Sequence, residues 1–251
     1  MFGLFYFDWT MLIVLPALIF SLWAQFKVNS TFEKYSKLRT RRGITGADAA
    51  RRVLNENGLY DVKIENCTSL TSVTIPNSVM SIGNTAFENC TNLTSITIPD
   101  SVTDIVGSVF AGCISLRSVY LTDLESWLKL DFASVQSSPF YYGADLYLNN
   151  VLVTELIIPD SISDIGFGAF YGCTSITTIT IPDSVTSIGA SAFRNCSNLS
   201  SIYIGNGVTS IGGFALANCS SLTSITVGND NQYFTSINGN LYSKDGETLI
   251  Q

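Results

Sequence analysis

The chain has 251 residues, 46% of them hydrophobic and only 13% charged, with a formal net charge of −7 and no histidine. The missing histidine removes the commonest general base and the commonest metal ligand. Residues 1–65 carry nine Lys/Arg against six Asp/Glu, so the remaining residues hold a net −10, a balance that argues against nucleic-acid binding.

The opening MFGLFYFDWTMLIVLPALIFSLWAQF is apolar from Phe2 to Ala24 apart from Asp8, Thr10 and Ser21. A span needs about 20 apolar residues, and Trp9 and Trp23 lie near its two ends, where aromatic rings favour the interface. These features predict an α-helical transmembrane anchor over 1–26, with residues 2–26 in contact with the membrane. A cleaved signal peptide fits less well, because no Lys or Arg precedes the run and Leu22 stands where a small residue is needed. A buried soluble helix is the third reading. Lys27, Lys34, Lys37, Arg39, Arg41 and Arg42 follow the run, and no cation precedes it. The positive-inside rule therefore puts the rest of the chain in the cytoplasm of a single-pass protein.

Residues 27–65 read as a helical juxtamembrane segment. An amphipathic stretch over about 30–38 is followed by the capping box Thr45-Gly-Ala-Asp48 and a second helix over 47–57, which Asn57-Gly58 closes. The run AQFKVNSTFEKYSKLRTRRGITGADAARRVLNENGLYDVKIE resembles the beginning of the YugP-like membrane zinc metallopeptidases of bacteria. The resemblance implies a downstream HExxH helix, on which two His one turn apart face one zinc and the Glu polarises its water. With no His in the chain, no catalytic residue carries over and peptidase activity is not expected. A fragment or chimera of such a peptidase, lacking its catalytic site, is the alternative reading of the whole chain.

From residue 66 onward one sentence repeats. Cys67, Cys90, Cys113, Cys173, Cys196 and Cys219 are spaced 23, 23, 60, 23 and 23 residues apart, in units of the form C-T-x-L-T-S-I-T-I-P-D-S-V-T-S-I-G-x-x-A-F-x-N. Alternation such as Leu70, Val73, Ile75 or Leu93, Ile96, Ile98 predicts a strand. A second short strand follows at 79–82, 102–105, 162–165, 185–188 and 208–211, and a single helical turn at the Gly-x-x-Ala-Phe segment. One unit cannot return the entropy of ordering its own backbone, so the units must stack. The expected fold is mainly β, a leucine-rich-repeat solenoid with 23-residue coils and a parallel strand ladder over 66–251.

The pattern resembles the BspA-type, or Treponema-like, leucine-rich repeat. Val106 replaces a usual Gly, Leu216 a usual Phe, and Thr122, Gly205 and Gly228 a usual Pro. The resemblance implies a bacterial surface or secreted protein engaged in adhesion and protein binding, opposite in sidedness to what the flanking charges predict.

The 60-residue interval is one unit enlarged by 37 residues, at about 122–158. Asp123 is placed to cap a short helix carrying Leu124, Trp127 and Leu128, and LYLNNVLV reads as a hairpin turning at Asn149-Asn150. The final NLYSKDGETLIQ repeats the idea at Asp245-Gly246 and ends without a cap, which reads as a truncated product.

One cysteine per coil predicts an inward ladder of free thiols. Their even number leaves disulfides open, and no C-x-x-C pair is present for zinc. The outward positions Ser72 and Thr74, Ser95 and Thr97, Ser118 and Tyr120, Thr178 and Thr180, Ser201 and Tyr203, Ser224 and Thr226 are predicted to form two rows on one face. The partner-binding candidates are Ser72, Thr74, Ser95, Thr97, Tyr120, Thr178, Thr180, Tyr203 and Thr226, with the two tyrosines foremost because aromatic anchors dominate interfaces. Ser/Thr rows are also ordinary exposed strand surface. Asn77, Asp100, Asp160, Asp183 and Asn206 sit in turns, where stabilising the turn outweighs binding calcium. No nucleophile–base pair, phosphate loop or cofactor motif stands out. The expectation is a membrane-anchored leucine-rich-repeat binding or adhesion-type protein without cofactor, its partner a protein or surface ligand.

Overall fold

The computed structural model describes residues 64–130 and 132–250, all within one compact unit. Two ladders of parallel strands run through it. The long strands of the first sheet are β1 (Ser72–Thr74), β3 (Ser95–Ile98), β5 (Ser118–Leu121) and β6 (Asp145–Leu148), closed by the antiparallel β7 (Val151–Leu152). The second sheet holds β8 (Glu155–Ile157), β10 (Thr178–Ile181), β12 (Ser201–Ile204) and β14 (Ser224–Val227). Two-residue strands make the other ladder: β2 (Ser81–Ile82) with β4 (Asp104–Ile105), then β9 (Asp164–Ile165), β11 (Ser187–Ile188) and β13 (Ser210–Ile211). A final antiparallel hairpin joins β15 (Phe234–Ile237) to β16 (Asn240–Ser243).

Alternation explains the long strands. In β3, Ile96 and Ile98 are buried while Ser95 and Thr97 stay half-exposed, and the same reading recurs one coil on in β5. Equal spacing keeps like residues opposite one another, as in Val73↔Ile96↔Val119. A one-residue slip would turn every isoleucine to water. The buried core is continuous from Ile64 to Leu241. Phe87 and Phe110 stack at 5.6 Å, as do Phe170 and Phe193.

Two expectations change. The helical anchor is corrected: among the described residues no helix is long and apolar enough to cross a membrane, and the α-helix described there, α1 (Leu124–Leu128), has five residues. The reason lies in the pattern, because the described apolar residues come in short alternating groups that suit strands buried on one face. The apolar run over 2–26 and the helical segments expected over 30–38 and 47–57 lie outside the described residues. The solenoid half of the expected fold stands.

The Gly-x-x-Ala-Phe segments form turns where a helical turn was expected. Their amides bond to the next coil: Phe87 N–H donates to Val109 O at 3.0 Å and Asn89 N–H to Ala111 O at 2.8 Å. Left-handed residues at Thr85, Ser191 and Phe214 (φ near +60°) interrupt any right-handed turn. Where Val106 replaces the usual Gly, the left-handed residue is Gly107, one place earlier than Thr85 sits in its coil.

The enlarged unit divides the long strands into two sheets. The enlarged unit carries an additional strand, β6, in register with β5 (Ser118↔Asp145, Tyr120↔Tyr147). Phe132 bridges to Ile105, and Phe140 packs against Phe170 at 6.3 Å. α1 begins at Asp123 as expected, the carboxylate accepting from Ser126 N–H at 2.7 Å. Trp127 Nε1 donates to Ala169 O at 3.1 Å, which ties the insert to the following coil. Asn149 and Asn150, both at positive φ, turn β6 into β7.

Candidate interaction face

The repeated Asn-Cys pair links neighbouring coils, the asparagine at or near the surface and the cysteine facing inward, with Gly in place of Asn before Cys113 and Cys173. The residue before every cysteine is left-handed: Asn66, Asn89, Gly112, Gly172, Asn195 and Asn218. Asparagine is the side chain that best tolerates this region after glycine. A Cβ at Gly172 would lie 2.5 Å from Phe140 O, so the inserted chain leaves no room for asparagine there. Neighbouring asparagines bond to each other, Asn218 Nδ2 donating to Asn195 Oδ1 at 3.0 Å. Beside the two glycines tyrosines take over, with Tyr142 OH accepting from Gly112 N–H at 2.9 Å and Tyr171 OH from Asn195 Nδ2 at 2.8 Å.

The cysteine side chains point inward and bond between coils. Cys90, Cys113, Cys196 and Cys219 each donate to a carbonyl 26 residues earlier, those of Ile64, Phe87, Phe170 and Phe193, at 3.0–3.2 Å. All six cysteines are free of disulfides, and all but Cys67 are buried. Burial pushes the Cys113, Cys173 and Cys219 thiols up to about 11 and Cys196 well above its usual value. Cys90 is raised first by its hydrogen bond with Cys67 and then by burial. Such thiols stay protonated at neutral pH and make poor nucleophiles or metal ligands. Among the described residues no group of three or more Cys, Asp or Glu could hold a metal ion.

The turn residues act between coils. Asn206 N–H donates to Asp183 Oδ1 at 2.6 Å and Asn206 Nδ2 to Asp183 Oδ2 at 3.0 Å. Asp230 N–H donates in turn to Asn206 Oδ1 at 3.0 Å. These bonds, the backbone N–H first, hold the Asp183 carboxyl below its usual range. In the short-strand ladder Asp164 is lowered likewise by the hydroxyls of Ser163, Ser187 and Thr186.

The outward candidates fall into rows, split between the two sheets. Ser72, Ser95 and Ser118 lie side by side, as do Thr74, Thr97 and Tyr120. In the second sheet Thr178, Ser201 and Ser224 lie side by side in one row, and Thr180, Tyr203 and Thr226 in the other. Tyr203 is 37% exposed. The insert extends the rows with residues the repeat pattern did not point to. Asp145 and Tyr147 continue the first sheet, with the Tyr147 ring stacked on Tyr120 at 4.7 Å. Glu155 and Ile157 begin the second, both exposed. The sequence clue to Tyr147 was the alternation DLYL, which matches SVYL in β5.

A stacked parallel-β repeat with an outward strand face defines the class: a leucine-rich-repeat solenoid. Residues 60–141 and 141–245 match the BspA type leucine rich repeat region in six copies, and the chain belongs to that family. Residues 10–97 match the "Putative neutral zinc metallopeptidase" family. The "Putative membrane protease YugP" of Bacillus subtilis (strain 168) is 58% identical over 53 residues, 21% of this chain and 24% of that protein. The chain therefore spans about a quarter of that relative's length.

Among solved structures, a leucine rich cell surface protein from Faecalibacterium prausnitzii A2-165 is 28% identical at a TM-score of 0.47, covering 72% of this chain and 54% of its own. The pneumococcal vaccine antigen PcpA is 22% identical at a TM-score of 0.42, covering 77% and 49%.

Proposed function

We propose that this chain is a binding protein at the bacterial cell surface, whose repeats present the outward strand face to another protein. The observation that carries the reading is the aromatic interruption of a Ser/Thr face. Tyr120 and Tyr147 stack on each other in the first sheet, and Tyr203 stands between two threonines in the second. Nothing in the fold requires these rings, since threonine fills the same register elsewhere. Exposed aromatic anchors on a rigid scaffold supply contact area at low entropic cost. Membership of the BspA-type family supports a role in protein interaction. The candidate set is Ser72, Thr74, Ser95, Thr97, Tyr120, Thr178, Thr180, Tyr203 and Thr226, to which Tyr147 is added.

No catalysis is assigned. The peptidase-like segment lacks the histidines on which an HExxH zinc site depends, and we place the boundary between that segment and the repeats near residue 65. The test is capture of surface proteins by the full chain against the Tyr120→Ala/Tyr203→Ala variant. Weakened capture with unchanged thermal unfolding supports the reading, and undiminished capture sinks it. Protease shaving of intact cells, followed with antibodies to the repeats, tests the surface placement.

A further inference from the structure

The break between the two ladders is itself a site. β6 is the last parallel strand of the first sheet, and β8 opens the second, with β10 as its only strand partner among the described residues. Thr154 O accepts from Thr177 and Thr178, and Ile158 N–H donates to Thr180 O. Backbone groups alternate between the two edges of a strand. The N–H and C=O groups of Glu155 and Ile157 therefore face away from β10, along an edge that no strand among the described residues covers. An unpaired edge is a template for another extended chain.

A cavity of about 200 Å³ lies against that edge. Its lining includes the buried Leu146 and Leu156, the half-buried Leu148 and Leu124 of α1, and the exposed Glu155 and Ile157. Ile157 is 59% exposed, and Leu152, the cross-strand partner of Tyr147, is 43% exposed. Charge is confined to the same place. Of all the outward positions on the eight long strands, only Asp145 and Glu155 are charged, and the chain beyond residue 65 has a net −10. Asp145 accepts from the Thr174 hydroxyl at 2.8 Å. Among the described residues neither carboxylate is in an ion pair.

We propose that this break is a docking slot for an extended segment of the partner protein, carrying one bulky aliphatic side chain and a nearby lysine or arginine. The segment lies along the free edge of β8, its aliphatic side chain enters the leucine-lined cavity, and its cation meets Glu155. The aliphatic requirement comes from the leucine lining, the cationic one from the two carboxylates, and the extended form from the unpaired backbone groups. This inference rests on the reading of the strand face as a protein-binding surface and names the chemistry of its partner.

The experiment uses fluorescein-labelled peptides of roughly ten residues, alternating threonine with a central leucine and bearing either Arg or Glu two residues from it. Fluorescence polarisation is measured against the full chain. The Arg peptide is expected to bind at least about ten-fold more tightly than the Glu peptide, and replacing its leucine by serine removes binding. Glu155→Arg, at an exposed position that leaves the fold intact by circular dichroism, inverts the preference, and Glu155→Gln abolishes it. Equal binding of the two peptides, or an unchanged order in Glu155→Arg, overturns the proposal. So does a wild-type dimer that Glu155→Arg converts to a monomer, since a second copy would then occupy the slot. If the peptides fail while capture still depends on Tyr120 and Tyr203, the broader reading stands without the slot. If capture is insensitive to those tyrosines, the broader reading falls on its own account.

Discussion

The thiol of Cys196 donates to the carbonyl of Phe170, 26 residues earlier, at 3.2 Å. That carbonyl also accepts from Cys173 N–H at 3.0 Å, so one oxygen joins a coil's own turn to the thiol of the next. The cysteine is thus a buried small side chain with a directional bond, which accounts for its recurrence at this position without a disulfide. Cys196→Ala removes the sulfur from a fully buried site, and a loss of about 1–2 kcal/mol is expected in denaturant unfolding.

The raised thiols make stability pH-dependent on the alkaline side. Cys113, Cys173 and Cys219 hold their protons to about 11 when folded, whereas thiols of the unfolded chain ionise near their ordinary value of about 8.5. In that window the unfolded state binds fewer protons, so stability falls as pH rises. The expected result is a melting temperature steady up to about pH 8 and declining progressively towards pH 11. A flat profile through that range would mean that the thiols are not shielded.

On the acid side Asp183 gives the opposite slope. Its carboxyl is lowered by the backbone N–H of Asn206 and then by that residue's side-chain amide. Its contribution is therefore present above the ordinary carboxylate range and lost as pH falls through the depressed folded value. Asp183→Asn should flatten the acid limb of the stability profile, while stability near neutrality changes little because the site is exposed.

The aromatic column through the core gives the largest predicted mutational effect. Phe193 is fully buried, with its ring parallel to that of Phe170 at 5.6 Å. Phe193→Ala should cost about 3–5 kcal/mol. Phe193→Leu should cost far less, because Leu216 already takes the same role one coil later. Chemical denaturation of the two variants separates a packing role from a surface role.

Gly172 tests the left-handed rung. It has φ +79° and its missing Cβ would approach Phe140 O to 2.5 Å. Gly172→Ala should destabilise by more than about 1 kcal/mol. At Asn195, where φ is +63°, both Gly and Ala lose the bonds to Tyr171 and Asn218, and Ala should cost about 1 kcal/mol more than Gly because of the left-handed backbone.

Much of this solenoid was legible because its period is strict. The 23-residue spacing gave the strands and the inward cysteines, while cap and turn chemistry inside the insert gave the Asp123 cap and the Asn149-Asn150 turn. What escaped depended on contacts that no single unit encodes. The Gly-x-x-Ala-Phe segments look helical by composition, yet their amides are claimed by the neighbouring coil, as the Phe87–Val109 bond shows. The insert was read as an elaboration of one unit. In fact it supplies strand β6 and the Phe140 rung before starting a new ladder at β8. Asp145, Tyr147, Glu155 and Ile157 were missed for that reason, since they belong to the face by register and not by repeat position. The hairpin of β15 and β16 was missed too, its turn at Asn238-Gly239 lying upstream of the Asp245-Gly246 turn that was recognised.

The most direct test of the central claim is hydroxyl-radical footprinting of the full chain, with and without the protein it captures. The strand-face account predicts that Tyr120, Tyr147 and Tyr203 lose reactivity in the complex. Phe214 and Tyr233, exposed outside the long-strand rows, should keep theirs. Protection of Phe214 and Tyr233 with the three tyrosines unchanged would contradict the account and move the binding surface to another side of the solenoid.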